Sequence, residues 1–359
     1  MTATVRDVEA NASGPDADVP PGSSRGPSPG PSARPPRRPR FRVLGAYLVT
    51  VFVLLNLNFF LPRTLPGDPI DALLATAAPI DNTGQARAEL QAYYGLDRPL
   101  TEQYVDYFAN LAEGDLGRSI LSRRPVTDMI TERMWWTVLL VGTSVAVATS
   151  IGIVGGIHAG WRRGRRSDRG LLAVFISLQN IPGFFLGSVM LYVFAFRLDW
   201  FPLSGARTPF ADFDSALATV ADIAHHLVLP AGVLVIGLLA GPFLLTRAGM
   251  VSELGAGYLQ LGRAKGLRER RLKYRYAARN ALLPVVTATA YELGLAVTIV
   301  VFVERVFQYP GLGELVADAA ANRDYPTLQG CFLVISLAVV TFNFLADALN
   351  ARLDPRTTP

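Results

Sequence analysis

The sequence holds one cysteine, Cys331, and three histidines in 359 residues. A single thiol excludes an intrachain disulfide and any site built from several cysteines. Cys331 lies inside an apolar block and reads as a small buried apolar residue. The histidines are His158 and the neighbours His225 and His226, placed just outside a span that begins near Leu227. Adjacent side chains diverge on a helix, no His-Glu-x-x-His run occurs, and no metal site is expected. Gly-x-x-x-x-Gly-Lys-Ser/Thr is absent too, which excludes a nucleotide-phosphate cradle of that type on this chain. No internal repeat of fixed period is present. Charge is scarce: 18% of residues are Asp, Glu, Lys or Arg, against about 25% in soluble domains.

Apolar residues fill the space that charge leaves. They make up 50% of the chain, with a mean hydropathy of +0.30, and the charges cluster between long uncharged runs. That pattern belongs to the membrane class. Net charge is +5, but the basic residues sit in short runs at the ends of apolar blocks. A nucleic-acid module would interleave them with exposed aromatics, so no nucleic-acid partner is expected and the lipid bilayer is.

Six blocks read as spans: 43–61, 136–159, 171–198, 227–246, 282–302 and 328–346. Hydrocarbon about 30 Å thick needs roughly 20 helical residues at 1.5 Å each. The first block exits through "FFLPRTLPGDP" without a small-residue cleavage site and reads as an uncleaved anchor. Asn56 and Asn58 within it are expected to face other helices, because an amide facing lipid is unsatisfied. Residues 1–40, rich in Pro, Gly and Ser and ending in "ARPPRRPR", read as a disordered cytoplasmic tail. Arg34, Arg37, Arg38 and Arg40 there either fix topology or meet anionic lipid.

Basic loops orient the spans. Residues 161–170 hold five arginines and one acid, and 247–281 hold nine basic residues and two acids. Residues 199–226 carry one Arg against four Asp, and 303–327 two Arg against four acids. Short basic loops stay in the cytoplasm, which puts both termini there, in a multi-pass protein of the cell membrane. Residues 62–135 then lie outside. Tyr94, Leu100, Tyr104, Tyr107 and Leu111 recur there at roughly helical spacing, which predicts short helices.

Three features carry candidate chemistry. Glu292 is an acid near mid-span, which either lines a pathway or makes a helix–helix hydrogen bond. "QNIPGFFLG" (179–187), with Asn180 and Pro182, breaks a span at mid-depth, where a freed carbonyl needs protein or water. Pro242 supplies a second breaker. In the basic loop, Val251, Leu254, Tyr258 and Leu261 space as one helical face. "GRAKG" follows, with Gly262 and Gly266 placed to break the helix. A short glycine-bounded element results, exposing Arg263 and Lys265 and anchored by Leu267. It suits a groove in a soluble partner better than a lipid surface.

The run "YLQLGRAKGLRERRLKYRYAARNALLPVV" (258–286) resembles the cytoplasmic signature loop of ABC-importer inner-membrane permeases of the dipeptide/oligopeptide/nickel group, dipeptide permease B type. Further matches follow in chain order: "LPGDP" (65–69), "YGLDRPLTEQY" (94–104), "GDLGRSI" (114–120), "FQYPGLGELV" (307–316), "NRDYPTLQG" (322–330) and "LDPR" (353–356). The sequence departs from that family at Gly257, where an acid is usual, at Gln260, where Arg or Lys is usual, and at Gly262, where Ala is usual.

The resemblance implies an all-α integral membrane protein with the type I importer permease (MetI-like) fold. Its parts would be a tail (1–40), a first anchor helix (41–61), an extracytoplasmic segment (62–135) between spans one and two, and a permease core (136–359). An ATPase-coupling loop would lie at about 250–281. No catalytic residue and no bound cofactor are implied for this chain. ATP and Mg²⁺ would be used by two partner ATPase subunits. A second homologous permease subunit and an extracytoplasmic substrate-binding protein would complete the assembly. By resemblance, Tyr258, Arg263, Ala264, Lys265, Gly266 and Leu267 form the ATPase contact. Glu304 with Pro310, Gly311 and Gly313 matches the outer gate region. Asn180, Pro182 and Glu292 are assigned to the path from their chemistry. The cargo would be di- or oligopeptides, with nickel or another small solute as the alternative. A self-contained secondary transporter, which tends to show repeated halves and several mid-depth acids, and a membrane-embedded enzyme are the competing classes.

Overall fold

A computed structural model describes residues 40–64, 83–93 and 97–353. The tail up to residue 39, "LPGDP", Tyr94 and all of "LDPR" but Leu353 lie outside the described residues. The secondary structure among the described residues is helical, apart from one isolated antiparallel bridge between Arg118 and Pro125.

Helix α1 (Arg40–Thr64) is the first apolar block. Leu48, Val49, Phe52 and Leu57 on it are more than half exposed, as expected of a face that meets lipid. Its two asparagines turn inward. Asn58 donates to the Gln329 carbonyl at 2.9 Å and to the Tyr107 hydroxyl at 3.2 Å. Asn56 accepts from the Tyr104 hydroxyl at 2.8 Å. Helix α2 (Thr83–Tyr93) and helix α3 (Leu100–Glu113) follow. Tyr104 and Tyr107 of α3 lean on the fully buried Phe59 ring, with centroids 5.2 and 5.4 Å away. Leu100 is 59% exposed and takes no part in that contact.

Helix α4 (Val126–Trp161) runs for 36 residues, about 54 Å at 1.5 Å per residue. It starts ten residues before the apolar block at 136, because Asp128, Glu132 and Arg133 keep its first turns out of any hydropathy window. Helix α5 (Arg166–Gln179) and helix α6 (Gly183–Met190, continuing as a π turn Leu191–Arg197) meet at a 96° bend. The block 171–198 is therefore no straight span, and Pro182 sits at the corner where it cannot donate a helical hydrogen bond.

Helix α7 (Ala216–Leu238) is N-capped by Ser215, whose Oγ accepts from the Ala218 amide at 3.2 Å. It begins before His225 and His226, so both lie on the helix rather than outside it. The block 227–246 is also two helices. It breaks at Leu239, and α8 (Ala240–Glu253) follows. Pro242 accounts for the break: it lacks an N–H and its ring opposes the carbonyl of residue 238. Helix α9 (Gly257–Ala264) crosses to α10 (Glu269–Arg271), which passes through a π turn (Leu272–Ala277) into Ala278–Ala281. Helix α11 (Leu283–Phe307) then meets α12 (Leu312–Ala321) at 72°, and α13 (Tyr325–Leu353) ends the described chain.

Among the described residues, three helices are long and apolar enough to cross a membrane, or five if each bent pair counts as one span. The apolar part of α1, Leu44–Phe60, is shorter. The main core joins α4, α6, α7 and α11 through Leu140, Val145, Ala195, Val233, Leu234, Val300 and Phe307.

Candidate functional site

The basic loop between α8 and α11 folds as a short helix held on a frame. Helix α8 ends at Glu253, and a turn at 254–256 separates it from α9. Val251, Leu254, Tyr258 and Leu261 therefore do not share one helical face. The buried anchor of α9 is Leu259, at 0% exposure, whereas Leu261 is 56% exposed. Gly262 does not bound the helix either. It lies inside α9 and is buried, because a Cβ there would come within 2.6 Å of the Leu272 side chain. The helix ends one turn later in a Schellman arrangement. The Leu267 amide donates to the Gly262 carbonyl at 3.0 Å and the Gly266 amide to the Arg263 carbonyl at 2.9 Å. This needs φ +73° at Gly266, a left-handed conformation that glycine adopts without steric cost. Leu267 then folds back into the apolar cluster.

Tyr258 is fixed at both sides of its hydroxyl. It donates to the Glu253 carboxylate and accepts from Asn280 Nδ2 at 3.2 Å. Burial, and then the neighbouring carboxylate, push the phenol's pKa up, so it remains a donor. Glu253 thus brings an acid to Tyr258 although position 257 is glycine. Arg263, Ala264, Lys265 and Gly266 are all exposed. Arg263 pairs with Glu269 at 3.1 Å, both well exposed, a contact that orients the side chain more than it stabilises the fold.

Behind α9, Leu259 and Leu272 pack with Met250 of α8 and Ile157 of α4, and Trp161 closes the edge. From there the contact between α4 and α8 is backbone to backbone. Gly152, Gly156 and Gly160 recur every fourth residue on α4. A Cβ on them would fall 2.8 Å from Pro242 Cβ, 2.6 Å from Thr246 Cβ and 2.5 Å from Met250 Cβ respectively. One side of this pair is also pinned by charge. Arg247 donates through Nε and Nη2 to Asp168 at 2.6 and 2.9 Å, and Asp168 is 1% exposed and accepts from the Gly164 amide at 2.8 Å. Helix α9 therefore sits on a closely packed frame of α4, α8 and the start of α5. The glycine spacing was readable in the sequence, as was the lone acid among five arginines at 161–170. Neither tells which helix it meets.

The path residues occupy two places. Asn180 and Pro182 are exposed at the α5–α6 corner, and Asn180 Nδ2 turns back to the Ile176 carbonyl at 2.6 Å. Glu292 of α11 lies against Gly241, at the α7–α8 break, and its buried Oε2 has no hydrogen-bond partner among the described residues. No hydrogen bond or ion pair joins Glu292 to the corner among the described residues.

The segment matched to an outer gate is a buried junction. Glu304 is 0% exposed. It accepts from Thr137 Oγ1 at 2.7 Å and from the Gly313 and Glu314 amides at 2.6 and 3.3 Å, while Thr137 Oγ1 accepts from the Leu312 amide at 2.8 Å. The carboxylate fills the N-terminus of α12, where orphan amides need an acceptor. Any Cβ at Gly311 or Gly313 would collide with it, and Pro310 stands in the turn between α11 and α12. A second buried carboxylate joins two of the quoted sequence runs. Asp324 accepts from Ser119 Oγ, from the Ile120 amide at 3.0 Å and from Thr327 Oγ1 at 2.8 Å, so "GDLGRSI" and "NRDYPTLQG" hold each other.

The family model described as binding-protein-dependent transport system inner membrane component matches residues 152–359, which includes α9 and the frame behind it. A Brucella ovis protein named as a peptide permease is 37% identical over 318 residues, covering 88% of this chain and 94% of its own. The di/tripeptide transport system permease protein of Pseudomonas aeruginosa is 34% identical, covering 88% and 97%. The glutathione transport system permease protein of Escherichia coli is 35% identical, covering 88% and 96%. With both the signature loop and nearly the whole length accounted for, the chain belongs to the family of binding-protein-dependent transport system inner membrane components.

Proposed function

We propose that this chain is the permease subunit of an ATP-driven importer of di- or oligopeptides, working beside a second, homologous permease. An extracytoplasmic binding protein delivers the cargo and two separate ATPase subunits supply the energy. The chain itself is a transport subunit, not an enzyme. Its six spans are α1, α4, the α5–α6 pair, α7 with α8, α11, and α13, with α12 in the outer loop 303–327. Both termini and α9 face the cytoplasm, as the basic loops require. The peptide reading is supported by three relatives named as permeases for a peptide, for di- and tripeptides, and for glutathione.

One observation carries the coupling role: α9 and the turn that ends it expose Arg263, Ala264, Lys265 and Gly266 outward while Leu259 and Gly262 lock the inner face to the frame. A push on its outer face then moves α4 and α8 together. ATP is the effector, and the allosteric element is a packed lever with two positions. Gly266→Asp tests this. An aspartate at φ +73° is strained, by about 1–3 kcal/mol, and adds a negative charge to the docking face. The variant is expected to insert at wild-type abundance and lose ATP-driven uptake. Full uptake by it would remove the coupling role from α9.

A further inference from the structure

The segment that follows α9 presents a second charged surface, separate from the outward face of α9. Arg268, Arg270, Arg271, Tyr274 and Arg275 line a groove of about 440 Å³. Arg275 is shared with a neighbouring hollow of about 340 Å³ that Arg279 also borders. Among the described residues none of these five arginines has a carboxylate partner. The one acid of the segment, Glu269, is paired with Arg263.

The groove is held open by what lies beneath it. Leu272, Ala277, Ala278 and Ala281 are at most 3% exposed, so the inner face is pinned and the arginines project away from the bundle. The same stretch runs through Ala278–Ala281 directly into the apolar α11, which sets the groove at the edge of the hydrocarbon. Tyr274 and Tyr276, 54% and 37% exposed, stand among the arginines. Amphipathic rings of this kind favour the headgroup level of a bilayer. Arginine forks match phosphate oxygens two at a time.

We infer that the Arg268–Arg275 groove is a phosphate site that holds the headgroup of an anionic phospholipid of the cytoplasmic leaflet. The placement rests on the cytoplasmic orientation proposed above. A bound headgroup would tie the entry of α11 to the membrane surface beside the lever, while α9 stays free for its ATPase.

The test uses the assembled transporter in nanodiscs of phosphatidylcholine, with or without phosphatidylglycerol. Native mass spectrometry reads both the lipid retained and the ATPase subunits bound. Wild type is expected to retain phosphatidylglycerol over phosphatidylcholine. R270Q/R271Q/R275Q is expected to lose that retention by about tenfold or more, and R270K/R271K/R275K, which keeps the charge but not the fork, to fall between wild type and the glutamine variant, both with ATPase still bound. Equal retention by wild type and the glutamine variant overturns the site. So does retention of both lipids alike. Displacement of the lipid by millimolar inorganic phosphate would assign the groove to a free anion instead. Loss of the ATPase from the glutamine variant with lipid unchanged would assign it to the protein partner. Absence of ATPase from the wild-type complex would sink the coupling reading and leave the lipid result standing.

Discussion

Glu304 shows how much one buried acid can organise. Its carboxylate satisfies two α12 amides and one hydroxyl, and that hydroxyl serves a third amide. Truncation leaves the Gly313 and Glu314 amides and the Thr137 hydroxyl without that acceptor, at about 1–3 kcal/mol for each one stranded. Glu304→Ala should therefore lower the stability of the detergent-solubilised protein by about 3 kcal/mol or more. Glu304→Gln, which keeps the shape and one acceptor oxygen, should cost less than half of that. A thermal melt of the purified chain measures both, and a Glu304→Ala melt equal to wild type would refute the junction. The sequence marked this residue through the "PGLG" run, matched to the outer gate region, but not the hydrogen bonds it makes there. A motif records which residues recur together, and cannot say whether they recur for an opening or for a packed corner.

Between elements, the decisive contact is α4 on α8. Helix spacing of Gly152, Gly156 and Gly160 lets two backbones touch, and small residues at such crossings are what membrane helices use for close packing. Gly156→Leu puts a side chain where a Cβ alone would already lie 2.6 Å from Thr246. It should separate the helices, cost about 1–3 kcal/mol and uncouple ATP hydrolysis from uptake. The check is ATPase rate against transport rate in proteoliposomes: hydrolysis persists while uptake falls at least tenfold, by about 1.4 kcal/mol or more in coupling. Tight coupling in that variant would mean α4 and α8 need not move as one. The elements also show where a sequence reading stops. Apolar runs locate helices that lie in lipid, so 43–61 and 328–346 fell inside α1 and α13. They do not register direction. The 96° corner at Asn180–Pro182 and the break at Leu239 arise from proline chemistry inside uncharged runs, which hydropathy reads as continuous. In the basic loop, the turn at 254–256 breaks the helical phase between Val251 and Tyr258, so the spacing that placed Leu261 on the inner face failed and Leu259 is the buried residue of α9.

Across the whole molecule, the pieces form one continuous chain of contacts. The exposed face of α9 leads to Leu259 and Leu272, these to Met250 and Ile157, and these to the glycine contact and the Asp168–Arg247 pair. The central claim is that the ATPase grips the outer face of α9. It is tested most directly by crosslinking at Lys265, whose side chain is exposed. The only native cysteine, Cys331, is buried, so Lys265→Cys offers a single reactive thiol. In membranes containing the full transporter, a short thiol–amine crosslinker should join this chain to an ATPase subunit. The same thiol at Leu217, exposed at the start of α7, should give no such product. An ATPase adduct at Lys265 and none at Leu217 is the result this account predicts. No adduct at Lys265 in a complex that still contains its ATPases would contradict it.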